Sequence, residues 1–302
     1  MQIESSLFEN AKRRLNQWVK PLLHDRIFLS GAIIIGIMIF IAVFAPWISP
    51  YPAQGEGQTV PDVCPSISPA GVCPPSFSHP FGTEQGGRDL LSRIFFGIRT
   101  SILVSFVVVL LAMGIGLAIG LTAGYFGGLV DEALMRITDI FLAIPHILLA
   151  LNIVAILGPG LIDVFIALGV TWWPAFARLA RSQAIAIRNR PFVMIAKAMG
   201  VPSRTIVFRH MLPNSISPLL VQMSIDLGAV VLAEAGLSFI GLGVRPPTAD
   251  LGQMIFAAID FITTSWWVAL FPGLFLTLLV LGFNMMGDAM RDRFDPRLRR
   301  QF

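Results

Sequence analysis

Apolar and polar positions in this chain alternate on the scale of whole helices rather than single turns. Long apolar runs lie at about 27–48, 101–125, 133–157, 161–180, 214–241 and 267–287. About 20 apolar residues cross a ~30 Å hydrocarbon core as a helix. In lipid, an open segment must satisfy its own backbone hydrogen bonds, which only a helix does. The pattern therefore predicts an all-α integral membrane protein with six transmembrane helices. The first run, Ile27 to Ile48, has no charged residue and exceeds the apolar stretch of a cleavable leader, so it is read as a span. Ahead of it, Leu7, Phe8, Ala11, Leu15, Trp18 and Leu22 recur at helical spacing among Lys12, Arg13 and Arg14, which predicts a helix lying along the interface.

A different pattern separates the fourth and fifth runs: "FVMIAKAMGVPSRTIVFRHMLPN", residues 192–214. Pro191 suits the first position of a helix. Phe192, Ile195, Ala196 and Met199 then fall at i, i+3, i+4 and i+7, one apolar face. Gly200 stands where a helix C-cap wants glycine. Pro202 opens a second short helix, and Leu212-Pro213 is expected to end it before the fifth span. The result is two short helices joined by a glycine bend. Their apolar face is too small for a core and suited to a groove on a partner.

Composition supports lipid as the solvent. The chain has 302 residues, 55% of them hydrophobic and 13% charged, with a mean hydropathy of +0.75. A soluble domain carries about 25% charge. The pI near 9.6 reflects loop placement rather than a nucleic-acid face. Of 22 Lys and Arg residues, 18 lie ahead of the first span, at Arg136, in or beside the 188–213 loop, or after the last span; Arg88, Arg93, Arg99 and Arg245 are the other four. Basic loops face the cytoplasm, so both termini and the 188–213 loop are placed inside (N-in/C-in). The expected organisation is an N-terminal cytoplasmic or interfacial helix at 1–26, the first span at 27–48, an extracytoplasmic loop at 49–100, a transmembrane domain at 101–287 and a cytoplasmic tail at 288–302.

Candidate chemistry is sparse. Carboxylates within a span are costly and mark pathways. Asp226 and Glu234, with Gln222 one turn before Asp226, are therefore candidates for a translocation path. A helix–helix hydrogen bond is the alternative for Glu234, while the path reading is preferred for Asp226. Arg136 and Asp139 are expected to pair with each other, Asp163 to mark a helix start, and His146, after Pro145, to hydrogen-bond at a kink. Gly116, Gly120 and Gly124 form a small-residue stripe for close helix packing, within this chain or against another subunit. Cys64 and Cys73 are two free thiols or, in an oxidising compartment, a disulfide; the external loop favours the disulfide. The Gly82-Thr83, Gly86-Gly87 and Arg88-Asp89 stretch suggests an ordered loop, either a docking surface for a substrate-binding protein or a simple lid. No metal-ligand spacing and no nucleophile–base constellation is present, so no metal or catalytic residue is assigned. The three lysines, Lys12, Lys20 and Lys197, do not follow a glycine, which leaves no phosphate-cradling G-x-x-x-x-G-K-[ST] loop.

The 192–214 stretch resembles the cytoplasmic loop signature of ABC importer permeases, roughly E-A-A-x3-G-x9-I-x-L-P. Met194, Ile195, Ala196, Gly200, His210, Leu212 and Pro213 align with it; its Glu, first Ala and Ile are replaced here. "HPFGTEQGGRDLLSRIFFGIRTS" (79–101), "LAEAGLSFIGLGVRPPTADLG" (232–252) and "GDAMRDRFDPR" (287–297) are similar to permeases of the dipeptide, oligopeptide and nickel importers, in particular to their second membrane subunit. The resemblance implies a permease subunit in a bacterial inner membrane, embedded in lipid. It would pair with a homologous permease, two ATP-binding subunits and an extracytoplasmic substrate-binding protein. ATP and magnesium would sit on the ATPase partners, with no cofactor on this chain. Met194, Ala196, Lys197, Ala198, Gly200, Arg204, Leu212 and Pro213 would form the ATPase-coupling loop. The competing reading is an ion-coupled secondary transporter using Asp226 and Glu234.

Overall fold

The structure, a computed structural model, describes residues 25–60 and 71–294. The expected interfacial helix, Cys64 and the end of the basic tail lie outside them. The chain runs α1 (Arg26–Ile48), a two-stranded hairpin β1 (Thr83–Glu84) and β2 (Arg88–Asp89), α2 (Leu90–Phe126), α3 (Gly128–Ala143), α4 (His146–Leu157), α5 (Leu161–Arg188), α6 (Pro191–Ala198), α7 (Ser203–Phe239), α8 (Leu251–Ala257) and α9 (Trp267–Phe294). Among the described residues, five helices, α1, α2, α5, α7 and α9, are individually long and apolar enough to cross a membrane. A sixth crossing requires α3 and α4 together.

That third run is not a straight helix. Its two halves meet at 85°. Pro145 disfavours helical backbone in the residue before it, and Ile144 is extended, with φ −99° and ψ 129°. The break sits where the sequence places proline, and it turns the span into two arms.

The second and fifth spans exceed their apolar runs. α2 is 37 residues long, eleven of them ahead of the expected start at 101. At 1.5 Å per residue it measures ~55 Å, well beyond the hydrocarbon core. Asp89 caps it, its carboxylate accepting from the Ser92 N–H at 2.8 Å. In α7, the expected break at Leu212-Pro213 does not occur. A π-helical segment, Ile206–Met211, precedes the proline, and the helix continues unbroken from Ser203 to Phe239. Rebonding in a π turn accommodates the hydrogen bond that Pro213 cannot donate.

Packing follows the small residues. α2 lies along α5, and a Cβ added to Gly116, Gly120 or Gly124 would come within 2.4 Å of Phe176 Cβ, 2.3 Å of Ala177 O and 2.5 Å of Ala184 Cβ respectively. The glycine stripe thus closes an intrachain contact. α7 packs on α9 and on α2, and α9 on α1. α5 is the most enclosed of the long helices and α1 the least, so α1 presents most of its surface to lipid.

One end of the bundle carries a polar cap built on the ordered loop. Arg93, fully buried near the start of α2, donates from Nε to Glu84 Oε1 at 2.8 Å, and from Nη1 to the Pro247 carbonyl at 2.6 Å and the Gly55 carbonyl at 3.2 Å. It ties the hairpin to the α7–α8 connection. Asp89 pairs with His79 Nδ1 at 2.9 Å. Thr83 Oγ1 accepts from the Cys73 N–H at 2.7 Å and donates to the Gly71 carbonyl at 2.6 Å, stitching the Cys73 segment to β1. Cys73 is disulfide-bonded, and Cys64 is the chain's other cysteine. The start of α1, the end of α9, the α2–α3 turn and the α5–α7 connection all lie at the opposite end.

Candidate functional site

The α5–α7 connection is a rigid hairpin. Pro191 opens α6 in its first turn, and Gly200 closes it with φ +75°. The Val201 N–H donates to the Ala196 carbonyl at 3.1 Å and the Gly200 N–H to the Lys197 carbonyl at 3.1 Å. This is the paired C-terminal bonding that glycine in the left-handed region permits. The inner side is apolar and anchored. Val193, Ile206 and Met211 are buried with Leu121 and Tyr125 of α2 and Ala184 and Ile187 of α5. The Tyr125 hydroxyl meets Ser203 Oγ at 3.0 Å. Any displacement of the hairpin is therefore felt by the ends of α2, α5 and α7.

The outer side is apolar and uncovered. Met199 is 78% exposed, Ile195 59% and Met194 54%, with Phe192 beside them. Lys197, Ala198, Gly200 and Arg204 are exposed, and Ala196 is half-buried. A clustered apolar tip rimmed by cations is the character of a protein-docking surface rather than of solvated chain. Leu212 and Pro213 lie apart from that tip, more than two turns into α7 and directly after its π-helical segment, with Leu212 packed on the anchoring cluster.

The intramembrane carboxylates occupy different environments. Asp226 lies at the middle of the α7 segment Leu212–Phe239 and is 7% exposed. Gln222 Nε2 donates to its Oδ1 at 3.0 Å, while Oδ2 has no hydrogen-bond partner. The carboxyl lines a cavity of about 280 Å³ whose wall includes Phe141, Pro145 and His146 from the α3–α4 bend and Thr171, Trp172 and Ala175 from α5. His146 stands edge-on to Trp172, ring centroids 4.5 Å apart, instead of hydrogen-bonding at the kink. Glu234 is two turns further on and fully buried. Its Oε1 accepts from Ser238 Oγ at 3.0 Å, and its carboxyl faces Asp250, the N-cap of α8, with Ser101 nearby. Glu234 thus belongs to the packing under the polar cap, and the two acids do not line a common wall.

Other expected pairs are rearranged. Asp139 accepts from Arg178 of α5 at 2.7 Å, and Arg136 reaches Glu132 at 3.7 Å, so Arg136 and Asp139 do not pair with each other. Both residues stand on α3 ahead of the bend: Asp139 meets Arg178 on α5, while Arg136 stays with Glu132 one turn back on its own helix. Arg181 and Asp131 make a two-pronged ion pair, with Nη2 to Oδ2 at 2.6 Å. Among the described residues, no cluster of three His, Cys, Asp or Glu could hold a metal. Trp172, Thr171 and Arg93 are neighbours of these sites that hydropathy along the chain does not single out. The Trp172-Trp173 doublet ahead of Pro174 is a usable signal, and Leu90, Ile94 and Ile98 around Arg93 carry helical spacing.

A bundle of long apolar helices with an anchored hairpin at one end and a polar cap at the other defines a multi-pass membrane transport subunit. The chain belongs to the family of binding-protein-dependent transport system inner membrane components, matched over residues 116–300. Residues 15–62 match the N-terminal transmembrane domain of oligopeptide transport permease C. It is 42% identical over 280 residues to the dipeptide transport system permease protein DppC of Alkalihalophilus pseudofirmus, covering 93% of this chain and 89% of that one. It is 38% identical to the di/tripeptide transport system permease protein DppC of Pseudomonas aeruginosa, covering 94% and 93%. The fold is shared with a chain of the MetNI methionine ABC transporter in an inward-facing conformation, with a TM-score of 0.53, 24% identity and coverage of 68% of this chain and 97% of that one. The protein is therefore a multi-pass inner-membrane permease component.

Proposed function

We propose that this chain is the membrane subunit of an ATP-driven importer for di- or oligopeptides, coupled to its motor through the 188–213 hairpin. The observation that carries this is the hairpin itself. Its outer face offers a separate protein an apolar, cation-rimmed tip, and its inner face is welded to the ends of α2, α5 and α7. The curated relatives named for peptide transport supply the substrate class. ATP and magnesium would be held by two separate ATPase subunits, a homologous permease would complete the pathway, and an external binding protein would deliver cargo to the polar cap. This orientation puts both termini and the hairpin in the cytoplasm, in line with the Lys and Arg distribution. Met194, Ala196, Lys197, Ala198, Gly200 and Arg204 contact the motor. Leu212 and Pro213 pass its displacement into α7, and Gln222 and Asp226 line the path. The ion-coupled alternative gains nothing from the geometry, because Asp226 and Glu234 face different surroundings.

The test replaces Gly200 in the assembled complex. Gly200→Val cannot adopt φ +75° without strain; Gly200→Asn tolerates that region. The valine variant should insert and assemble, hydrolyse ATP, and lose peptide uptake, while the asparagine variant transports. Coupled uptake at the normal rate by Gly200→Val would sink the coupling role.

A further inference from the structure

We infer that Asp226 forms a midmembrane subsite for a primary ammonium group of the translocated cargo. The inference rests on the reading of the chain as a peptide permease and adds the chemistry of one point along the path. A carboxyl 7% exposed at the centre of a span is costly unless something compensates it. Compensation inside the chain is partial. Gln222 donates to Oδ1 and the Trp172 indole is a second polar neighbour of the carboxyl, but within hydrogen-bond distance the buried Oδ2 has no partner. Among the described ion pairs no Lys or Arg reaches it; the basic side chain one turn beyond Ala175, Arg178, is already engaged by Asp139 at 2.7 Å.

The cavity beside it is large enough for a side chain or a peptide terminus, at about 280 Å³, and Trp172, Phe141 and His146 give it an aromatic wall. One carboxylate facing aromatic rings is the environment that recognises an alkylammonium, through charge and through cation–π attraction. Divalent metal fits poorly, since no second carboxylate joins the site. The shared chemistry covers the amino terminus of a peptide and a lysine side chain alike.

The experiment keeps Asp226 and places a reporter in the wall. Ala175→Cys, and independently Thr171→Cys, are introduced into the complex purified through this chain and reconstituted in vesicles. Thiol modification is timed with a cationic ethylammonium methanethiosulfonate and its anionic ethylsulfonate counterpart. The cationic reagent should react about tenfold faster or more, the factor that 1.4 kcal/mol supplies, and Asp226→Asn should erase the preference. Dialanine should protect the cysteine and N-acetyldialanine should not if the amino terminus is the source; protection by Nα-acetyl-lysine amide identifies the side-chain source. Equal rates for the two reagents, a preference that survives Asp226→Asn, or cysteines unreactive in both variants would overturn the subsite. If the cation preference holds while the complex takes up no dipeptide, the peptide reading fails and the ammonium site stands.

Discussion

Arg93 shows how much a single residue can decide here. It is a fully buried cation, and its partners come from three separate stretches: Glu84, Gly55 and Pro247. A buried ion pair contributes little net stability against an apolar replacement, but removing one partner leaves an uncompensated charge and costs about 3–5 kcal/mol. Glu84→Ala should therefore destabilise the cap by that order, measured as a loss of thermal stability of the purified complex. Glu84→Ala combined with Arg93→Met should recover part of the loss, because the fully buried charge disappears with its partner, while Arg88, the other cation on Glu84 at 2.9 Å, stays without it. A double variant as unstable as the single one would contradict this account. Residue identity alone was a poor guide at this position. Arg93 reads as one more loop arginine until the fold buries it.

At the scale of elements, α2 and α5 make the contact on which the bundle turns. Gly120 brings the two backbones so close that a Cβ would lie 2.3 Å from the Ala177 carbonyl. Backbone cannot yield as a side-chain tip can, so Gly120→Leu should cost at least the 1–3 kcal/mol or so typical of overpacking. The expected readout is sharply reduced recovery of monodisperse protein from detergent, with Gly114→Leu unaffected because nothing lies within 4 Å of that site. Equal recovery of the two variants would refute the close-packing role. The glycine spacing was visible in the sequence, but its partner was not, since a small-residue stripe fits a helix of the same chain as well as one from another subunit. The bend between α3 and α4 was likewise half legible: Pro145 marks where it occurs, and the 85° angle follows from what the two arms pack against.

For the whole molecule, the proposed orientation predicts a labelling pattern. A cysteine at Met199, 78% exposed on the hairpin, should react with a membrane-impermeant maleimide in inverted vesicles and not in intact cells. Labelling from outside the cell would reverse the topology and with it the motor's side. The sequence by itself determined the solvent, the helical class, the approximate spans and the existence of the hairpin, because hydropathy and backbone self-satisfaction act locally along the chain. It also marked Gly200 as a helix end, since a left-handed residue is a local requirement. Tertiary structure alone decided the rest. It extended α2 outward to bury Arg93, carried α7 through Pro213 by a π turn, and exchanged the expected Arg136–Asp139 pair for Asp139–Arg178. It also sent Asp226 to a cavity and Glu234 to a buried contact with Asp250. Those outcomes depend on residues far apart in sequence meeting at one place, and the energy of a buried charge or a close backbone is fixed by that meeting.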